Sequence, residues 1–109
     1  VKQGDIYRVP QQGESSLVGD RYVLVVSATA FNESTKLAIV CPINREINHQ
    51  SYGFFVEARG GLTTSITSGI VNCGQPFTIN LAANRAVKTD AVEPDLLVDI
   101  LARIQAIFD

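Results

Sequence analysis

The chain has 109 residues, enough to bury one core without disulfides or metal. Its 46% hydrophobic and 18% charged residues exclude a disordered polymer. A net charge of -2 excludes the strongly basic field of a general nucleic-acid binder, but the acidity is local: Glu93 to Asp109 carry four acids against Arg103, while residues 1–92 carry eight bases against seven acids.

The first element is a strand over Gly4 to Val9, with Ile6 and Arg8 on one face and Tyr7 and Val9 on the other, stopped by Pro10. Residues Gln11 to Asp20 are polar, with Gly13 and Gly19 near the ends, and read as a surface loop. Arg21 to Ser27 is apolar on both faces and predicts a central strand. Ala28 to Ser34 suits one or two helical turns with Thr29 as the cap. A second central strand spans Lys36 to Ile43, with Pro42 confined to a site that needs no ladder donor.

Asn44 to Ser51 is a second polar loop, Tyr52 to Ala58 resumes a strand pattern, and Arg59-Gly60-Gly61 makes a turn. Ser68 to Cys73 and Phe77 to Leu81 form two more strands around a kink or bulge at Gly74-Gln75-Pro76. From Pro94 the period changes: Leu97, Ile100, Leu101, Ile104 and Phe108 recur at three- and four-residue steps, the stripe of an amphipathic helix. Pro94 suits its first turn, and Glu93 and Asp95 suit its positive N-terminal end. Cys41 and Cys73 sit in apolar runs and read as buried free thiols. With no run of about 18 apolar residues and no charged-then-apolar leader, the expected location is the cytoplasm, with no membrane partner.

An ordered set of segments resembles the PemK/MazF toxins of toxin-antitoxin modules, most of all their Kid and ChpB branch. It comprises Gly4-Asp5-Ile6-Tyr7, Arg21 with Val23 to Ser27, Ala30-Phe31-Asn32, Val40-Cys41-Pro42-Ile43, Gly53-Phe54, Gly69 to Pro76, Thr78 to Leu81, and Leu101-Ala102-Arg103 to Ile107-Phe108. The resemblance implies a mostly β fold, a small SH3-like or CcdB-like barrel with a C-terminal helix, in one domain over residues 1–109. It also implies a homodimer, a cognate antitoxin as protein partner, and metal-independent cleavage of single-stranded RNA with no cofactor.

Scission of RNA without metal needs a base for the 2′-hydroxyl, a donor for the leaving 5′-oxygen, and positive charge beside the pentavalent phosphate. In the Kid-like branch an Arg and an Asp flanking the strand Cys, with a His in the first loop, do this work; the matching positions here are Asn72, Gly74 and Ser15. None of the three titrates near neutrality. The MazF branch relies on an Arg after the first loop and a Thr after the Pro-containing strand. Arg21 matches that Arg, Tyr22 replaces the Pro that commonly follows it, and Asn44 stands where the Thr would be.

Arg21 and Asn72 are therefore the candidate catalytic residues, and Asn44, Arg45, His49 and Gln75 the candidate substrate-binding ones. Each has a structural alternative: an ion pair with Asp20 or another acid for Arg21, a buried amide satisfied by backbone for Asn72, and a solvated loop side chain for His49 rather than a replacement acid or base. Two cysteines and one histidine on dissimilar elements make no zinc set. The loss of all three Kid-type residues keeps open a second reading, a non-enzymatic module that binds an antitoxin or, by analogy with CcdB, a gyrase subunit.

Overall fold

The computed structural model describes residues 1–11, 21–44, 53–57 and 69–109, and every structural statement below concerns these. In chain order they form β1 (Asp5–Val9), β2 (Arg21–Val25), α1 (Thr29–Thr35), β3 (Ala38–Asn44), β4 (Phe55–Glu57), β5 (Ile70–Asn72), β6 (Phe77–Ile79), β7 (Val87–Ala91) and α2 (Pro94–Gln105). The seven strands make one antiparallel sheet in the order β4-β5-β3-β2-β1-β7, with β6 also paired to β3.

The mostly β architecture with a C-terminal helix agrees with expectation, but the sheet is not a closed barrel. Its path ends at β4 and β7, and among the described residues no ladder joins those two ends. One edge of β3 is shared by two strands. Its first residues, Ala38 to Val40, pair with β6, and its last, Ile43 and Asn44, pair with β5. The Gly74-Gln75-Pro76 stretch is thus not a bulge within one ladder; it carries the chain from one end of β3 to the other.

The central strands are buried on both faces because their side chains alternate between two apolar clusters. Ile6, Leu24, Val26, Cys41, Ile43, Val56, Val71 and Cys73 pack on the side covered by α2, whose Ile100 is fully buried, with Leu96, Leu97, Leu101 and Ile104 against them. Val9, Val23, Val25, Ala38, Val40 and Leu81 form the opposite cluster, closed by Tyr7, Phe77, Ile79 and Ala86. Ile6 and Val9 therefore face opposite sides, as the alternation of β1 requires.

Several local expectations are corrected. Thr29 is not the α1 cap: Ala28 holds that position, and the Thr29 hydroxyl accepts the Gln3 N–H at 3.0 Å. The fixing contact for this helix is inside, where buried Asn32 bonds Ser27 through its side-chain oxygen and donates its amide to the Val1 and Ser27 carbonyls. Lys36 is no strand residue but the left-handed cap of α1, at φ 61°. Phe108 leaves the apolar stripe because α2 stops at Gln105, and it is 78% exposed. Strand β7 was not foreseen; it is an edge strand whose Val87 and Lys88 are exposed, so it lacks the apolar alternation that marks its neighbours. The turn at Arg59-Gly60-Gly61 lies outside the described residues.

Where β5 meets β3 the backbones close tightly. A Cβ on Gly69 would stand 2.3 Å from the Asn44 carbonyl oxygen, so only glycine permits the approach that lets Ile70 pair with Asn44. Both cysteines are buried and unpaired, and burial raises Cys41 to about 12 and Cys73 to about 11. At Cys73 the Arg103 guanidinium acts in the opposite direction, and Asp99 adds to the rise. These thiols are core side chains without nucleophilic character at neutral pH.

Candidate functional site

The sheet face turned away from α2 carries three of the six candidate side chains. Arg21 opens β2 opposite Val9. Extending the β2–β3 register by one residue beyond the Tyr22↔Ile43 pair sets Arg21 beside Asn44, which in turn pairs with Ile70. One row inward on the same face run Tyr7, Val23 and Pro42, and across β5 and β4 Asn72 pairs with Phe55. The intervening residues Tyr22, Leu24, Cys41, Ile43 and Val71 belong to the cluster under α2, so alternation turns Arg21, Asn44 and Asn72 the other way. Two strand spacings and one two-residue step separate Arg21 from Asn72, about 12 Å between their backbones. They cannot bond to each other directly, but a ligand of a few nucleotides spans that distance.

Arg21 and Asn44 are exposed. Among the described residues no ion pair is recorded for Arg21, and its Asp20 alternative involves a residue outside them. Asn72 is half-buried and engaged by the turn that follows it. Its side-chain oxygen accepts the Gly74 N–H at 3.0 Å, its amide donates to the Gln75 side-chain oxygen at 3.0 Å, and its carbonyl accepts the Gln75 N–H at 3.4 Å. This is an Asx turn, in which the asparagine side chain mimics a backbone turn. The expectation of an amide satisfied by backbone is met in half, because the other partner is the Gln75 side chain. The carboxamide neither titrates nor carries charge, so it offers a phosphate at most its second N–H as a neutral donor.

Gly74 has room for a larger residue. A Cβ there would meet Asn72 Oδ1 at 3.4 Å and Phe54 Cβ at 3.5 Å, ordinary contact distances, and the position does not need a left-handed backbone. Arg45, His49 and Ser15 lie outside the described residues. Among the described residues no three His, Cys, Asp or Glu side chains come together as metal ligands. Sequence reasoning passed over Phe55; the available signal was its alternation with the buried Val56, which sets Phe55 on the side of Asn72.

A concavity of about 360 Å³ lies elsewhere, between Asn32, Lys36, Leu37, Asn80 and Leu81. It opens where β3 begins, whereas Arg21 and Asn44 lie where β3 ends, about 20 Å along the strand. This concavity is therefore separate from Arg21 and Asn44.

Comparison with known proteins agrees along nearly the whole chain. Residues 2–108 match the model of the PemK-like, MazF-like toxin of type II toxin-antitoxin systems. The chain is 32% identical over 112 residues to an Endoribonuclease PemK of Escherichia coli, covering 98% of this chain and 81% of that protein. In fold it is similar to MazF in the MazE-MazF structure (Form-II) from Deinococcus radiodurans, with TM-score 0.78, 21% identity and coverage of 99% and 94%. It is also similar to an endoribonuclease solved with its cognate antitoxin from a mycobacterial species, with TM-score 0.73, 18% identity and coverage of 99% and 94%.

Proposed function

The chain belongs to the PemK-like, MazF-like toxins of type II toxin-antitoxin systems, and on that premise we propose that it binds single-stranded RNA on the sheet face of Arg21, Asn44 and Asn72 and cuts it slowly without metal. The observation that carries this reading is the retained arginine. Among the described candidate residues Arg21 alone holds a charge, and it stands exposed on the face not covered by α2.

In the proposed reaction the 2′-oxygen attacks the adjacent phosphorus, the bond to the 5′-oxygen breaks, and the products are a cyclic phosphate and a 5′-hydroxyl. Arg21 lowers the barrier by pairing with the negative oxygens of the pentavalent phosphate. Hydroxide takes the 2′-proton and water supplies one to the leaving oxygen, because Asn72 and Gly74 do neither. Each missing acid or base costs roughly 10²–10⁴ in rate. The activity is therefore expected to be weak, and to climb with pH as hydroxide does rather than level off as a histidine base titrates.

Pure protein incubated with mixed single-stranded RNAs, beside an Arg21→Ala variant, tests the reading. Expected is slow cutting by the natural chain that falls by about 10²–10³ in the variant. Equal and negligible cutting, with no RNA retained by either protein, rejects it.

For partners, two solved relatives are complexes with antitoxins, which supports a cognate antitoxin for this chain, and a homodimer in the cytoplasm is the proposed working form. The second reading, a binding module without catalysis, is favoured by the Asx turn that gives Asn72 a structural role. Capture of a protein partner together with absence of RNA cleavage selects it.

A further inference from the structure

Arg103 sits in the last turn of α2, where a basic side chain is expected on helix-dipole grounds alone. Its geometry exceeds that role. Nε donates to Asp99 Oδ1 at 2.9 Å, one turn back on α2, while Nη1 donates at 2.6 Å to the carbonyl of Gly53, fifty residues away in sequence. Gly53 is in the left-handed region at φ 54° and lies two residues before the first residue of β4. The next carbonyl along, that of Phe54, accepts the Cys73 N–H at 2.7 Å. Cys73 lies between Asn72 and Gly74, whose side chain and amide close the Asx turn.

Three consecutive links therefore run from α2 to the turn, each separated from the next by one or two residues. At one end α2 is immobilised by fully buried Ile100 and by Leu97 and Ile104 packed on the core. At the other end are Asn72 and Gln75. Strand β4, described over Phe55–Glu57, pairs with β5 among the described residues, and the Gly53 carbonyl lies before that ladder begins, so the ladder itself does not hold it. Asp99 holds the guanidinium plane, and the fork lets one side chain satisfy helix and strand at once, which a lysine ammonium does less well.

We infer that Arg103 is a positioning residue: by clamping the Gly53 carbonyl to α2 it fixes the start of β4, and through the Phe54–Cys73 bond it sets the Asn72–Gln75 turn on the proposed RNA face. The functional half of this inference rests on the RNA-binding reading above; the link itself does not.

The test uses the full chain with Arg103→Met, Arg103→Lys and Asp99→Asn. Amide hydrogen exchange is read at Cys73 and Gly74, with amides of β1, β2 and α2 as internal controls, and affinity is read with a mixed-sequence single-stranded RNA. Expected for Arg103→Met is about tenfold faster exchange at Cys73 and Gly74 with the control amides unchanged, and about tenfold weaker RNA binding. Arg103→Lys recovers part of both, and Asp99→Asn gives smaller changes in the same direction. Exchange at Cys73 and Gly74 that matches the natural chain in Arg103→Met overturns the clamp. Faster exchange with undiminished RNA affinity overturns its functional role. A natural chain that retains no RNA rejects the RNA reading and that role with it, and the exchange data still decide the clamp. Should Arg103→Met fail to fold, Arg103→Lys and Asp99→Asn carry the same comparison.

Discussion

The two faces of this sheet near the ends of β2 and β3 differ in kind although they alternate residue by residue along the same strands. Under α2 the side chains are Leu24, Cys41, Ile43, Val71 and Cys73, apolar or neutral, and nearly all without exposure. On the other side, at the same strand ends, stand Arg21 and Asn44, exposed, and Asn72, held in a turn. A one-residue slip of register would exchange the two sets, placing a guanidinium in the core and isoleucine in water. The stable face thus fixes the register that presents the polar one. The face that presents Arg21, Asn44 and Asn72 also carries the second apolar cluster of Val9, Val23 and Val25, so the exposed polar side chains there stand at the margin of a core rather than apart from one.

The comparison breaks first at Ile100. Fully buried in the middle of α2, it anchors the helix to the sheet, and truncation leaves a void that the surrounding strands cannot fill. Ile100→Ala is expected to cost about 2–5 kcal/mol in urea unfolding, with the midpoint shifted and the slope unchanged. A loss below about 0.5 kcal/mol, the scale of a surface substitution, would mean that α2 does not close the core.

A smaller effect, and one confined to the other face, follows from putting charge back. Gly74 meets neighbours only at contact distance, so the double variant Asn72→Arg with Gly74→Asp supplies a charged pair around Cys73 without a backbone clash. RNA cleavage should rise by about 10² or more, while stability falls by about 1 kcal/mol as the Asx turn loses its bonds. Single-turnover cleavage assays decide it; an unchanged rate in a folded double variant would show that the face lacks the geometry for scission.

Raising the pH probes the buried face more gently. Both thiols titrate near 9 when exposed and at about 12 and 11 in the fold, held up chiefly by burial. Below the unfolded value both states keep the proton and nothing is lost. Above it the unfolded chain releases protons that the native chain retains, so stability declines as pH climbs from about 9 toward 11–12, by about 1.4 kcal/mol per pH unit for each thiol. Cys41→Ala should flatten the alkaline slope by one thiol's share in denaturation curves at stepped pH, whatever its cost at neutrality. An unaltered slope would place the source outside Cys41.

The difference between the faces also explains what could be read in advance. Strands β1, β2 and β3 and helix α2 were visible because burial writes a period into the sequence, and Val23-Leu24-Val25-Val26 has no other use. Strand β7 was invisible because Val87-Lys88-Thr89 lies at an edge and buries little. The open ends of the sheet were likewise unreadable, since closure depends on which strands pair across the whole sheet and not on the pattern within any one strand. At the site, Arg21 and Asn44 are 23 residues apart and neighbours only through register. The link from Arg103 to Gly53 left no trace at all, since a carbonyl acceptor has no residue type.

The mildest perturbation sharpens the contrast most. Arg21→Ala removes an exposed side chain with no ion pair recorded among the described residues, so its effect on folding should stay within about 0.5 kcal/mol. If its guanidinium meets one phosphate, RNA affinity should fall by about tenfold, and the slope of log affinity against log salt should lessen by about 0.7, one counterion's worth on a single strand. Fluorescence anisotropy over a salt series measures both. An affinity loss that leaves the salt slope intact would mean that Arg21 shapes the strand end rather than meeting phosphate; a stability loss above 1 kcal/mol, about the worth of a structural hydrogen bond, would move it from the functional face to the structural one.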